Sequence, residues 1–460
     1  MQVREFELDV AVDSSSARSL SWLEKRVMAQ IGASSVPIRF VVNAMGAASW
    51  RCDVAVVEGV APGIAARSRS LFEFRKREAE NTGAFNVALV IPTGIACTIG
   101  GHAGDANPVV KLMASVCDTL ITHPNAVNAS DLNELPANAL YVEGSTLSRL
   151  LMGTAGLRPT RANRVLAAVE AHEEAPVLNA AINSVAAAVA TYGLSSAGIV
   201  LIDPALQLAS HATPAGRASG AVRHLDRLFD AVRAKRGQFD ALAISTRVQV
   251  DAPCRTAYYR SHGELVNPWG GVEALLTHAV STLLGIPTAH APMYESVAVA
   301  HEDIGVVDAR MAAEAISTGF FMCVLKGLQQ SPRIVTDEAS MRAPGVLTAM
   351  DVSCLVIPDG CIGLPMLAAL EQGIPVIAVR GNISMMHNRL ADLPWAQGRF
   401  YEVDNYLEAV GLIAAFKRGI APDSLRRPLP ALHVEVAAQA PEHAARPGAA
   451  LPEPDYLPDL

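Results

Sequence analysis

Short unbroken apolar runs and longer runs with a helical period alternate along the chain, and the changes between them mark its elements. Val87–Ile91 has the continuous apolar character of a strand buried on both faces, and strands are also read at Thr119–Thr122, Ala139–Val142, Ala197–Ile202, Phe239–Ser245, Val352–Ile357 and Pro375–Val379. Further strands are expected at Val3–Val12, Ile38–Val42, Asp53–Val57, Arg164–Val169 and Pro287–Ala291. Helical periodicity predicts helices at Ala17–Ile31, Leu71–Asn81, Val109–Val116, Leu178–Tyr192, Ala218–Arg236, Val272–Leu284, Pro365–Gln372 and Asn405–Arg418. Another helix, capped by Asp308, should run to about Gln329. The polar stretch Arg247–Gly271 has no clean period and reads as a long loop.

Two stretches read as strand, glycine loop, helix, strand: Phe85 to Thr122, and Met350 to Asn382. The expected fold class is therefore α/β, with two Rossmann-like lobes, mostly parallel sheets and a disordered C-terminal tail. The division expected is 1–84 as a mixed α/β segment packing on lobe 1, 85–215 as lobe 1, 216–426 as lobe 2, and 427–460 as the tail. That tail is dense in proline and has no periodicity.

Composition narrows the function classes. The 460 residues are 51% hydrophobic and 18% charged, which is globular, and the net charge is −8. With no concentrated basic surface, a nucleic-acid partner is disfavoured. Seven cysteines lie scattered without a Cys-x-x-Cys pair, as expected of reduced thiols in a cytoplasmic protein. The charged start, MQVREFELDV, does not read as a signal peptide, and no membrane span is expected.

In parallel α/β units ligands sit beyond the carboxyl ends of the strands, so the candidate chemistry gathers in the loops there. The loop after the first strand carries Thr93, Gly94, Cys97, Gly100, Gly101, His102, Gly104 and Asp105. Glycine N–H groups beside a helix start suit a phosphate or carboxylate, and His102 and Asp105 suit acid–base work. The plainer alternative is that the glycines turn the chain and Asp105 caps a helix. His123, Asn125 and Asn128 follow the next strand, where turn formation is the alternative role, and Glu143 follows the one after. His102 and His123 are expected to converge on one ligand. Cys97 is a nucleophile candidate, set against an ordinary buried thiol. Arg255 and Tyr258, in the long polar stretch, are candidate substrate contacts. His290, His301 and Asp303 have metal-compatible atoms but no ligand spacing, so no metal is assigned; no motif identifies a cofactor.

Asp359-Gly360-Cys361-Ile362-Gly363, followed by LPMLAALEQGIPVIAV, resembles the nucleotide-binding segment of two-lobed GT-B glycosyltransferases over about thirty residues. A more specific set of motifs is PTGI-x3-IGGHAGDA-x-P, THPN-x-x-N, LYVEGS, GIPVIAVRGN and NYLEAVG. Together they resemble, over roughly residues 85–420, a bacterial and plastid protein family catalogued only as a domain of unknown function. That resemblance implies a soluble, self-contained protein and transfers no activity. Three functions follow as expectations: an acid–base enzyme acting on a small anionic metabolite, a nucleotide-sugar transferase, or a non-catalytic small-molecule-binding protein. A homo-oligomer is compatible with all three.

Overall fold

The computed structural model describes residues 1–12, 19–32, 34–61, 70–317 and 319–429. Strands β1 (Gln2–Ala11), β2 (Val36–Met45) and β3 (Ser49–Glu58) open the chain, with helix α1 (Leu20–Met28) between the first two. Next come β4 (Asn86–Leu89), α2 (Asn107–Ala114), β5 (Thr119–Thr122), β6 (Ala139–Tyr141) and α3 (Gly144–Leu151). The middle contributes β7 (Val165–Glu170), α4 (Ala175–Tyr192), β8 (Ser196–Ile202), β9 (Gln207–Ala212), β10 (Ala218–Arg223) and β11 (Ala241–Gln249). It continues through α5 (Ala252–Arg260), α6 (Gly270–Leu284), β12 (Thr288–Met293) and α7 (Ala312–Ala315). The last part holds β13 (Cys354–Pro358), α8 (Leu364–Gln372), β14 (Val376–Val379), β15 (Phe400–Val403) and α9 (Tyr406–Lys417).

Two large sheets result. One has six strands in the order β15-β14-β13-β4-β5-β6, and every pairing in it is parallel. The chain moves outward from β4 in one direction and from β13 in the other, so the winding reverses between those two strands. The other sheet has ten strands. The antiparallel β9, β10, β1, β3 and β2 join a parallel group in which β11 lies between β7 and β12. The two strand–glycine–helix units therefore form two halves of one sheet. The expected separation of 85–215 from 216–426 is not how the strands group, because β13 pairs directly with β4 through Cys354↔Val87. Residues 430–460, most of the expected tail, lie outside the described residues.

Local chemistry explains most element ends. Pro108 sits in the first turn of α2, Gly373 closes α8 in the left-handed region, and the Asn405 side chain accepts from Glu408 N at the start of α9. Where expectation and structure differ, tertiary partners took the backbone. Residues 71–81 form no helix: Arg75 N donates to Met152 O, Arg77 N to the Gln372 side chain, and Asn81 N to Met350 O. Ala218–Arg236 splits into β10, held between β9 and β1, and a helix at Leu225–Arg233. The Asp308 segment breaks into a short turn, α7 and a separate Phe321–Gln329 helix, and Arg247–Gly271 contains α5. Helix α4, of 18 residues and mean hydropathy 1.2, is long and apolar enough to cross a membrane by length and composition. Only one stripe of it, Val177, Ala181, Val185 and Ala188, is buried.

Candidate active site

A cavity of about 410 Å³ opens where the parallel sheet reverses its winding, the place such sheets reserve for ligands. The end of β13 and the segments after β4 and β13 (Ile357, Val90, Thr93, Cys361) supply one side, while α6 and β12 of the larger sheet supply the other. Phe40, Leu147, Trp269, Met293, Phe320 and Met386 make much of the wall apolar.

Polar chemistry on that wall centres on two acid–imidazole pairs. Glu143 ends β6 and caps α3, accepting from Ser145 N at 3.0 Å, Thr146 N at 3.1 Å and Ser145 Oγ at 2.5 Å. Its Oε1 also lies 2.6 Å from His278 Nδ1, an ion-pair distance without hydrogen-bond alignment. Burial alone would raise the Glu143 pKa, but His278 and the capping donors bring it down to about 2. His278 Nε2 has no hydrogen-bond partner among the described residues and is left for the cavity. The second pair is closed. His290 Nδ1 meets Glu273 Oε2 at 3.0 Å, and its Nε2 meets Thr246 Oγ1 at 2.9 Å, so both ring nitrogens are engaged.

His123 stands beside the first pair. The Ile91 backbone N–H donates to its Nε2 at 3.0 Å, which requires that nitrogen to be unprotonated. Burial, the largest influence, pushes its pKa down to about 4, so the ring is neutral and carries its hydrogen on Nδ1. The cavity thus meets a free imidazole nitrogen on His278 and a fixed N–H on His123.

The glycine loop has a different fate. Asp105 Oδ1 accepts from Gly100 N at 2.8 Å, so the side chain closes the loop and leaves the α2 N-terminus without a side-chain cap. Asn125 Nδ2 donates to Ile91 O and Gly100 O, and Asn382 bonds both backbone groups of Ile99. A Cβ on Gly100 would overlap Ile91, one on Gly101 would overlap the Cys97 carbonyl, and one on Gly104 would stand 2.6 Å from Ala129 Cβ. These glycines serve close packing. His102 is buried behind the wall, 2.7 Å from the Tyr258 hydroxyl, and neither residue lines the cavity. Cys97 is buried, with its thiol pKa raised well above the ordinary value by a bond with Cys361 and by burial, which suits packing better than nucleophilic attack. Gly94 packs on Ala218, whose N–H donates to the Gly94 carbonyl.

Of the other expected contacts, Thr93, Asn125, Asn128, Glu143 and Arg255 line the cavity, and Asn128 is bonded to Tyr141 and Asn133. Arg255 is paired with Glu302 at 3.0 Å. His301 and Asp303 are exposed and stand apart from His290, and no group of three or more His, Cys, Asp or Glu suited to a metal occurs among the described residues. His278 was invisible to the sequence argument, since a lone histidine inside an amphipathic helix carries no motif.

Residues 86–426 match the family described as Protein of unknown function (DUF3326), and the chain belongs to that family. The chain is also similar to a protein of Synechococcus sp. (strain ATCC 27144 / PCC 6301 / SAUG 1402/1) described as an uncharacterized lipoprotein. The two are 34% identical over 340 residues, covering 73% of this chain and 92% of the relative. No solved structure matches the chain.

Proposed function

We propose that this member of the family is an acid–base enzyme whose chemistry takes place in the cavity at the reversal point of the parallel sheet. In this reading the sheet is Rossmann-like and doubly wound, with chain order 3-2-1-4-5-6. His278 is the general base, oriented by Glu143, and the His123 Nδ1–H is a donor toward charge that develops on the substrate. The observation that carries the reading is His278: one ring nitrogen is set against a buried carboxylate while the other is left for an apolar cavity.

The lining also bears on the substrate. Arg39, Arg217 and Arg255 reach the cavity wall but are paired with Glu5, Asp53 and Glu302. Glu143, Glu273 and Glu295 add further negative charge. An anionic metabolite, expected from the glycine loop, loses its main support when that loop's groups bond internally. The substrate that fits is a small, uncharged, largely apolar molecule with one polar reactive group. A nucleotide sugar at Asp359–Gly363 is less favoured, because Asp359 Oδ1 already accepts from Gly360 N and Leu390 N. The scattered free cysteines fit a cytoplasmic setting, and cell fractionation separates that from the membrane attachment a lipoprotein relative invites.

The test needs no known product. Small neutral metabolites are screened by thermal shift, and each hit is incubated with the protein in deuterium oxide while proton NMR follows exchange of substrate C–H. Wild type should catalyse exchange, and His278→Ala should lose about 10²–10⁴-fold of that rate. Hits that bind wild type and His278→Ala alike, with no exchange in either, would leave a binding protein instead.

A further inference from the structure

A second set of buried titratable groups meets the same cavity from α7. Glu314 lines it and is almost fully buried. Its Oε1 accepts from Ala103 N at 2.7 Å and Asn267 Nδ2 at 2.9 Å, and its Oε2 accepts from the Tyr258 hydroxyl at 2.8 Å. Tyr258 in turn lies 2.7 Å from His102 Nδ1, and both are buried. This network uses the loop residue His102, which the dyad chemistry does not.

We propose that Glu314 is a second proton-carrying group of the cavity, and that Tyr258 and His102 behind it are positioning residues that set its protonation. The proposal rests on the acid–base reading of this cavity. The three side chains form a chain whose direction can reverse. With Glu314 ionised, His102 Nδ1–H donates to Tyr258, and Tyr258 donates to the carboxylate. With Glu314 protonated, its O–H donates to Tyr258, and the tyrosine hydroxyl donates to an unprotonated Nδ1. Neither state places charge on the tyrosine, and the two use different neutral tautomers of His102, whose second ring nitrogen lies against the Gly263 carbonyl. In the reaction this permits, His278 Nε2 takes a proton from a substrate C–H, and the bonding pair stays on the substrate. Glu314, which lines the cavity, turns its O–H from Tyr258 to a different substrate atom, delivers the proton there and becomes a carboxylate. One proton leaves and one arrives, so the net change is an isomerisation, and both groups reset by exchange with water. The substrate class is a small apolar molecule with a C–H made acidic by a neighbouring carbonyl.

The surroundings favour a carboxyl that changes state near neutrality. Burial, the largest influence, raises Glu314 from 4.5 to about 7, against the bonds from Ala103, Tyr258 and Asn267. The titratable and charged groups around this network include Tyr258 and Tyr259 on α5, His102 and Asp105 on the loop, Glu273 on α6, and Asp308 and Arg310. Asp105 is also raised to about 7, so it must be separated experimentally.

Infrared difference spectra of the full chain, wild type minus Glu314→Gln, are read from about pH 5 to pH 9, with Asp105→Asn as the control for the second carboxyl. A protonated carboxyl C=O band should be present at the acid end, disappear with a midpoint near 7, and be absent from Glu314→Gln while surviving in Asp105→Asn. Tyr258→Phe removes a donor to the carboxylate and should move that midpoint upward. If Glu314→Gln does not fold, Glu314→Asp serves, and its midpoint must differ from wild type. A band that is absent throughout, or lost only in Asp105→Asn, overturns the proposal. A midpoint unmoved in Tyr258→Phe overturns the positioning chain. None of these readings uses turnover, so they stand or fall separately from the His278 exchange experiment.

Discussion

The Pro92–Asp105 loop and the wall formed by Glu143, α6 and β12 face the same cavity, yet they differ in where their hydrogen bonds go. The loop holds four glycines, His102 and Asp105, and much of its polar chemistry bonds back into the protein: Asp105 to Gly100, Asn382 to Ile99, His102 to Tyr258. The wall, of which only Glu143 belongs to a motif, leaves His278 Nε2 without a hydrogen-bond partner among the described residues, and the same is true of Nδ1 on the adjacent His123. A polar group is available to a ligand only if the fold has not already satisfied it, and residue type alone does not record that.

The largest expected effect tests the packing role of the loop. Gly100→Ala and Gly104→Ala each combine a φ near +90° (+86 and +93) with a Cβ overlap, and each should destabilise the protein by about 3 kcal/mol in urea unfolding. Gly193→Ala, at φ +63 with nothing within 4 Å, should cost only about 1 kcal/mol. Equal costs at all three positions would remove the packing account.

The next effect is a pH dependence from the wall. The folded pKa of His123 is lowered from 6.5 to about 4, so the native state favours the neutral ring. Its contribution is complete above 6.5 and is lost as pH falls toward 4, up to about 3 kcal/mol. Glu314 and Asp105, both raised to about 7, act with the opposite sign and gain as pH falls. The quantity to measure is therefore wild type minus His123→Gln, followed by chemical denaturation between about pH 7 and pH 4. A difference that stays flat over that range would mean that His123 is solvated.

Smaller effects separate the regions further. Asn382→Ala strips both partners from Ile99 and should cost about 2 kcal/mol without altering ligand binding, by denaturation and calorimetry. His278→Ala should do the reverse, staying within about 1 kcal/mol because Glu143 keeps its capping donors, while proton exchange collapses. Least of all, a thiol reagent should label only the exposed Cys254 rapidly in the native protein, and Cys254→Ser should abolish that signal. Rapid labelling of Cys97 would show that the loop opens.

Much of the fold was legible. The run at Thr119–Thr122 is β5, the helix expected at Pro365–Gln372 is α8, and Asn405 caps α9. Thr93, Asn125, Asn128, Glu143 and His123, read as lying beyond the strand ends, line the cavity. His102 was placed in the right loop and on the wrong side of its surface, because Tyr258, 156 positions away, holds the ring.

By itself the sequence determined that Val87–Leu89 is a strand buried on both faces, that Asn405 begins a helix, and which family the chain belongs to, since these depend on neighbouring residues and local motifs. Ala197–Ile202, also read as a strand, lies at a sheet edge with Leu201 half exposed. Only the tertiary structure decided that residues 354–403 complete the sheet begun at 86–141. It alone brought Glu143 and His278 within 2.6 Å of each other across 135 positions, and filled the bonding groups of the glycine loop. Those outcomes depend on long-range pairing and on which buried groups reach a partner first. A local pattern of residue types is compatible with either outcome until the chain has closed around it.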